Sequence, residues 1–368
     1  MKKVVIAPDS FKGTLSSAEV CSIVKAVLVK RYGEIEVVEI PIADGGEGMT
    51  DSFLYAFPGS EKIYMTAKSP LGRDIEVYYG IIEGDTAVIE MAAASGITIE
   101  EKNDALKAST YGTGEMIKHA LDRGIRKFVI GIGGSATTDG GIGCAGALGG
   151  RFLNKQGKSV ALCGEGLKDI DSIDLSSLDS RIKDSEITVL CDVKNPLYGT
   201  NGAAYIYGPQ KGADPDKVAF LDSGLFNLAE KSQQYLKKDF SQYEGAGAAG
   251  GLGFALVAFF GAELKRGIEA ILDITHFEEK TQGADLVITG EGKMDEQSLM
   301  GKVPFGIASR SKGKKTIAIV GLNMADMDKV KASGISEVIE TNPLHLPFDE
   351  IRANAKEDLA KAAEKIIV

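Results

Sequence analysis

Residues 130–143 read Ile-Gly-Ile-Gly-Gly-Ser-Ala-Thr-Thr-Asp-Gly-Gly-Ile-Gly, and their types suit one chemistry. The apolar run Phe128-Val129-Ile130 predicts a buried strand that breaks into Gly131, Gly133 and Gly134. A turn so rich in glycine brings backbone N–H groups close to an anion, and a following helix adds its positive end. Ser135, Thr137, Thr138 and Asp139 supply hydroxyls and one carboxylate, groups that suit phosphate oxygens and a metal-bound water. The pattern points to phosphoryl transfer.

A second pattern recurs along the chain. Apolar strands end in an acid, mostly beside glycine or serine: Ala7-Pro8-Asp9-Ser10, Ala43-Asp44-Gly45-Gly46-Glu47, Val88-Ile89-Glu90, Leu190-Cys191-Asp192 and Ile288-Thr289-Gly290-Glu291. Any one such acid more often caps a helix or closes an Asx-turn than does chemistry. Gathered beyond the carboxyl ends of a parallel sheet, they would repel one another unless a cation such as Mg²⁺ lies among them. Lys12, Lys211, Lys293 and Lys302 each sit in a glycine-bearing segment predicted as a loop, where a side chain can turn into a site; the plainer alternative is a solvated surface lysine.

Two common nucleotide loops are excluded. Gly157-Lys158-Ser159 has Phe152 where a Walker A loop needs its first glycine. Gly245-Ala246-Gly247-Ala248-Ala249-Gly250 matches GxGxxG but follows polar residues, not a strand. It is left either as the opening of a helix packed closely on another backbone or as a second phosphate nest.

The elements that must position these groups alternate at both chain ends. Strands are predicted at Lys3–Ala7, Glu36–Ile42, Asp285–Thr289, Thr316–Val320 and Glu337–Glu340. Helices lie between them, the first opened by a capping box at Ser16–Glu19 and the last running over Asp349–Ile367. The middle holds short strands joined by tight turns, at Lys62–Thr66, Ile75–Ile82 and Thr86–Glu90, then helices at about Thr113–Arg123, Asp216–Lys237 and Gly250–Phe260. The fold expected is therefore α/β with two domains. A Rossmann-like parallel-sheet domain is built from both ends (1–60 plus 283–368), and a mixed α/β domain is inserted at 61–282, with the active site expected in a cleft between them. A net charge of −10 argues against nucleic acid or an anionic membrane as partner. Four cysteines without CxxC spacing and three histidines argue against a zinc site. With no apolar stretch long enough to span a bilayer, a cytoplasmic location is expected.

These motifs, with Glu90-Met91-Ala92-Ala93-Ala94-Ser95-Gly96, Gly208-Pro209-Gln210-Lys211-Gly212 and Asp295, Ser298, Gly301 and Lys302, run in order from residue 4 to about 305. In that order and spacing the chain resembles the bacterial type 1 glycerate kinases. Lys293 stands where arginine is often found, and the last sixty residues carry only a generic α/β pattern. The resemblance implies ATP-dependent phosphorylation of D-glycerate, at the 2-hydroxyl, to give 2-phosphoglycerate and ADP with Mg²⁺. A 3-phosphate product, a related hydroxy or sugar acid, or a non-catalytic two-lobed sensor of small acids are the alternatives. The partners expected are that small substrate and nucleotide, with a homodimer left open.

Roles then follow from chemistry. Asp192 is the first candidate for the base that orients the hydroxyl and Asp139 the second, with Lys12 and Lys293 stabilising charge. Asp9, Ser10, Lys211, Glu291, Asp295 and Ser298 are expected to bind substrate. Gly133, Gly134, Ser135, Thr137, Gly245, Gly247 and Gly250 are expected to hold phosphate, and Asp44 and Glu47 the metal.

Overall fold

Val4, Val5 and Ile6 are fully buried, as an unbroken apolar run in a sheet covered on both faces requires. The computed structural model describes residues 2–43, 45–46, 48–296, 298–342, 344 and 346–368. Along the described chain the strands are β1 (Lys2–Ile6), β2 (Ile35–Glu39), β3 (Glu61–Lys68), β4 (Asp74–Ile82), β5 (Thr86–Glu90), β6 (Lys127–Gly131), β7 (Arg151–Leu153), β8 (Ser172–Asp174), β9 (Glu186–Leu190), β10 (Glu263–Lys265), β11 (Leu286–Met294), β12 (Lys315–Asn323) and β13 (Glu337–Glu340). The class is α/β.

The chain divides into two compact units. One comprises Met1–Asp44, Asp51–Pro58 and Gly267–Val368, the other Gly45–Thr50 and Gly59–Arg266. The first unit thus reaches back to Gly267 and not only to residue 283. The reason is packing: a Cβ on Gly306 would stand 2.4 Å from Ile268 Cγ1, so the helices Gly267–Ile274 and Val303–Arg310 touch almost backbone to side chain. Residues 45–50 go with the second unit, where the Gly45 carbonyl accepts from Gly133 N–H (3.2 Å).

In the first unit all five strands are parallel, in the order β13-β12-β11-β1-β2. Counted along the chain this is 2-1-3-4-5, the flavodoxin-like variant of a doubly wound sheet, whose direction of winding reverses between β1 and β11. Residues of β12 alternate between two cores. Ile317 and Ile319 meet Val24, Leu28 and Leu359 on one face, while Ala318 and Val320 meet Phe305 and Val330 on the other. The helix Ser17–Tyr32 begins with the predicted capping box. Glu19 N–H donates to Ser16 Oγ (3.2 Å), and Ser16 N–H donates to Glu19 Oε2 (3.0 Å). β11 is longer than expected: it continues through Gly290-Glu291-Gly292-Lys293, so Glu291 and Lys293 lie on a strand and not in a loop.

The second unit has a six-stranded sheet in the order β10-β9-β6-β5-β4-β3. β3, β4 and β5 pair antiparallel, and β5, β6, β9 and β10 pair parallel. Glu83 and Gly84 take positive φ (52° and 78°) in the β4–β5 turn, the twist a tight hairpin needs. β10 and the β7–β8 ribbon are three-residue strands, too short to leave a periodicity in the sequence. Among the described residues no helix is long and apolar enough to cross a membrane.

Candidate active site

Ligands of doubly wound sheets bind beyond the strand ends where the winding reverses, and the first unit has a cleft of about 500 Å³ there. Asp9, Ser10 and Lys12 follow β1, and Glu291 and Lys293 lie on β11; Asp295 and Lys302 follow that strand. Close backbone approach makes this possible. A Cβ on Gly290 would meet the Ile319 carbonyl at 2.1 Å, and one on Gly321 the Gly292 carbonyl at 2.2 Å. Asp9 N–H donates to the Gly290 carbonyl (2.8 Å), and the Asp9 carboxylate accepts from Ser10 N–H (2.7 Å).

Glu291 is the unusual group of this cleft. It is 4 % exposed, and its Oε1 has no hydrogen-bond partner. Burial pushes its carboxyl up to about 7; a hydrogen bond from Ser298 and the charge of Lys302 oppose this, while Asp9 and Asp295 add to it. Ser298 is fully buried and its Oγ accepts from Asp295 N–H (3.1 Å). Lys293 pairs with Asp295 at 3.3 Å. Asp9, Ser10, Lys12, Glu291, Lys293 and Asp295 therefore share one cleft, with Ser298 behind it.

In the second unit the turn after β6 is built from within. Asp139 is fully buried, and both its oxygens are used. Oδ2 accepts from Thr110 N–H (2.7 Å), Thr110 Oγ1 (2.8 Å) and Gly143 N–H (3.3 Å), and Oδ1 accepts from Gly141 N–H (3.0 Å). Burial raises its carboxyl pKa and these bonds oppose the rise. Such a carboxylate braces the turn, and its four hydrogen bonds suit that role better than the base expected of it. Lys211, expected to bind substrate, is 1 % exposed and donates to Ser135 Oγ (2.8 Å) and the Thr137 carbonyl (2.6 Å). Burial pushes its ammonium down to about 7 although the Asp139 charge pulls the other way. These two bonds tie Lys211 to the turn.

The phosphate-binding expectations divide. Gly133 has spent its N–H on the Gly45 carbonyl, and Thr137 is fully buried, whereas Gly134 is exposed at φ 73° beside a cavity of about 220 Å³. Glu90 and Thr50 also line that cavity, with Thr50 Oγ1 lacking a partner. The Glu90 carboxylate accepts from Thr50 N–H (2.6 Å) and Gly48 N–H (3.2 Å), which places it as a cap. Gly245, Gly247 and Gly250 are close-packing positions that leave no room for a side chain. Added Cβ atoms would meet Leu264 Cδ1 at 2.9 Å, the Pro196 carbonyl at 2.2 Å and the Thr137 carbonyl at 1.9 Å respectively. Asp192 is exposed just past the end of β9. Asp44 and Glu47 lie outside the described residues.

The groups that sequence reasoning missed come from the generic-looking C-terminus. Thr341, Asn342, Leu346, Phe348 and Ile351 line the first-unit cleft. Asn342 Oδ1 accepts from Leu346 N–H (2.9 Å), a side-chain turn that gives the loop its shape.

Comparison with known proteins bears on this site. The model of the Glycerate kinase family matches residues 4–368. The chain is 42 % identical to the glycerate 2-kinase of Escherichia coli K12, over 99 % of this chain and 97 % of that one. It is 41 % identical to the glycerate kinase of Bacillus subtilis 168, over 99 % and 96 %. A crystal structure from Salmonella typhimurium LT2, assigned as glycerate kinase 2, superposes with a TM-score of 0.89 at 40 % identity, covering 99 % of this chain and 96 % of that one. Since the family match and these identities hold from end to end, the chain belongs to the glycerate kinase family and is one of its enzymes.

Proposed function

We propose that this protein transfers the γ-phosphoryl group of ATP to the 2-hydroxyl of D-glycerate, giving 2-phosphoglycerate and ADP. The observation that carries the proposal is the full-length likeness to relatives named glycerate kinase and glycerate 2-kinase. In the transfer, a bond forms between the 2-oxygen and the γ-phosphorus as the bond to the ADP oxygen breaks, and ADP leaves with the electron pair. The hydroxyl proton passes to a carboxylate. Asp192, exposed at a strand end, suits that task, whereas Asp139 does not. Lys12 and Lys293 suit the charge on the transferring group, since both line the open cleft.

Among the described residues no three His, Cys, Asp or Glu side chains cluster as a ready metal cage. Mg²⁺ needs no cage, because it takes one or two carboxylates together with substrate phosphates. Glu291, with its buried unpartnered oxygen, and Asp9 beside it are oxygen donors that fit this use. When bound, the ion neutralises charge on the phosphates. Asp44 and Glu47 remain proposed ligands. The test is an assay with D-glycerate, ATP and Mg²⁺ followed by phosphorus and proton NMR of the product. Phosphate on the 2-oxygen is expected; phosphate on the 3-oxygen, or no turnover, refutes the proposal.

A further inference from the structure

The first-unit cleft has a mixed lining, and that mixture bears on its ligand. Its lining carries the charged groups Asp9, Lys12, Glu291 and Lys302. The same lining includes the apolar side chains Leu322, Leu346, Phe348 and Ile351. Phe348 is 53 % exposed, which leaves much of a large apolar ring open to a ligand. Its ring lies over Gly13, where an added Cβ would come within 2.8 Å of Cζ, so one edge of the ring rests on backbone. D-Glycerate carries a polar group on every carbon and has no use for such apolar side chains. A volume of about 500 Å³ is also in the range of clefts for larger, partly apolar ligands.

We propose that this cleft is the nucleotide site, with adenine against Phe348 and Leu346 and the phosphates near Lys12, Lys302 and Glu291. A purine offers two flat apolar faces for such side chains. Lys302 stands at the N-terminus of the helix Val303–Arg310, which has no side-chain cap there, so the positive end of the helix dipole adds to the lysine's charge. The buried, unpartnered Glu291 Oε1 independently marks the cleft as built for a ligand. The C-terminal segment would then be the chain's base-binding element. This assignment rests on the kinase activity proposed above, but it is tested without turnover.

The experiment is isothermal titration calorimetry of the full chain with ADP and with adenosine, for the wild type, Phe348→Ala and Phe348→Tyr. Because the ring is half exposed, neither change threatens folding, and circular dichroism checks it. Phe348→Ala is expected to weaken ADP and adenosine binding roughly ten- to a hundredfold, the effect of losing one base–aromatic stack. Phe348→Tyr is expected to stay within about threefold of wild type, and KM for D-glycerate is expected not to move. Unchanged ADP affinity in Phe348→Ala overturns the proposal. A rise in glycerate KM with ADP binding intact overturns it as well and gives the cleft to the acid. If ADP binds through Phe348 but glycerate is not phosphorylated, the acceptor assignment fails and the nucleotide site stands.

Discussion

Asp139→Asn separates a braced turn from a catalytic carboxylate. The side chain accepts four hydrogen bonds in a fully buried position, three at Oδ2 and one at Oδ1. An amide has one oxygen. Turned to keep the three bonds around Thr110 and Gly143, it sets an NH₂ against Gly141 N–H and leaves both groups unsatisfied. Each such loss costs about 1–3 kcal/mol, so the variant should lose about 2–6 kcal/mol. Removal of a buried charge favours the lower part of that range, although Lys211 also loses its compensating charge. For a unit of this size the melting temperature should fall by roughly 5–15 °C. The assay is thermal unfolding by circular dichroism beside turnover measured from 5 °C upward. A brace predicts lost activity that returns on cooling. If Asp139→Asn melts with the wild type and yet has lost turnover at every temperature, Asp139 acts in the chemistry and the bracing account is wrong.

Asp192→Asn should show the opposite signature: exposed, it should leave the melting temperature unchanged while kcat falls about 10²–10⁴-fold, with ADP affinity retained. Near-normal kcat would remove it as the base. Glu291 gives a pH signature in the protein free of nucleotide and divalent metal. Its carboxyl is raised from 4.5 to about 7 by burial, so the folded state keeps a proton that the unfolded chain has lost. That stabilisation is full below about pH 4.5 and is lost as pH rises through about 7, a fall of at most roughly 3 kcal/mol. Urea melts at pH 5 and 7.5 should show this fall in the wild type and not in Glu291→Gln, where equal slopes would refute it.

Much was written locally. The capping box at Ser16–Glu19, the alternation at both chain ends and the strand-end acids are short-range patterns, and the sequence alone carried the α/β class and the kinase chemistry. β7, β8 and β10 were invisible because three residues hold no period. What tertiary structure decided is which polar groups face a ligand. Gly-rich runs look alike whether they cradle phosphate or admit a neighbouring backbone. Only the carbonyls of Thr137 and Pro196 pressed against Gly250 and Gly247 show these two to be packing positions. Asp139 and Lys211 carry the residue types of catalysis, but their hydrogen bonds are spent inside the fold. Conversely, Phe348 and Leu346 bear no motif, and the helix Phe348–Ala363, packed with the helix Ser17–Tyr32 in one core, sets them beside Asp9 and Glu291 in the cleft. Residue type fixes what a group can do; burial and partners, which depend on segments distant in sequence, fix whether it is left to do it.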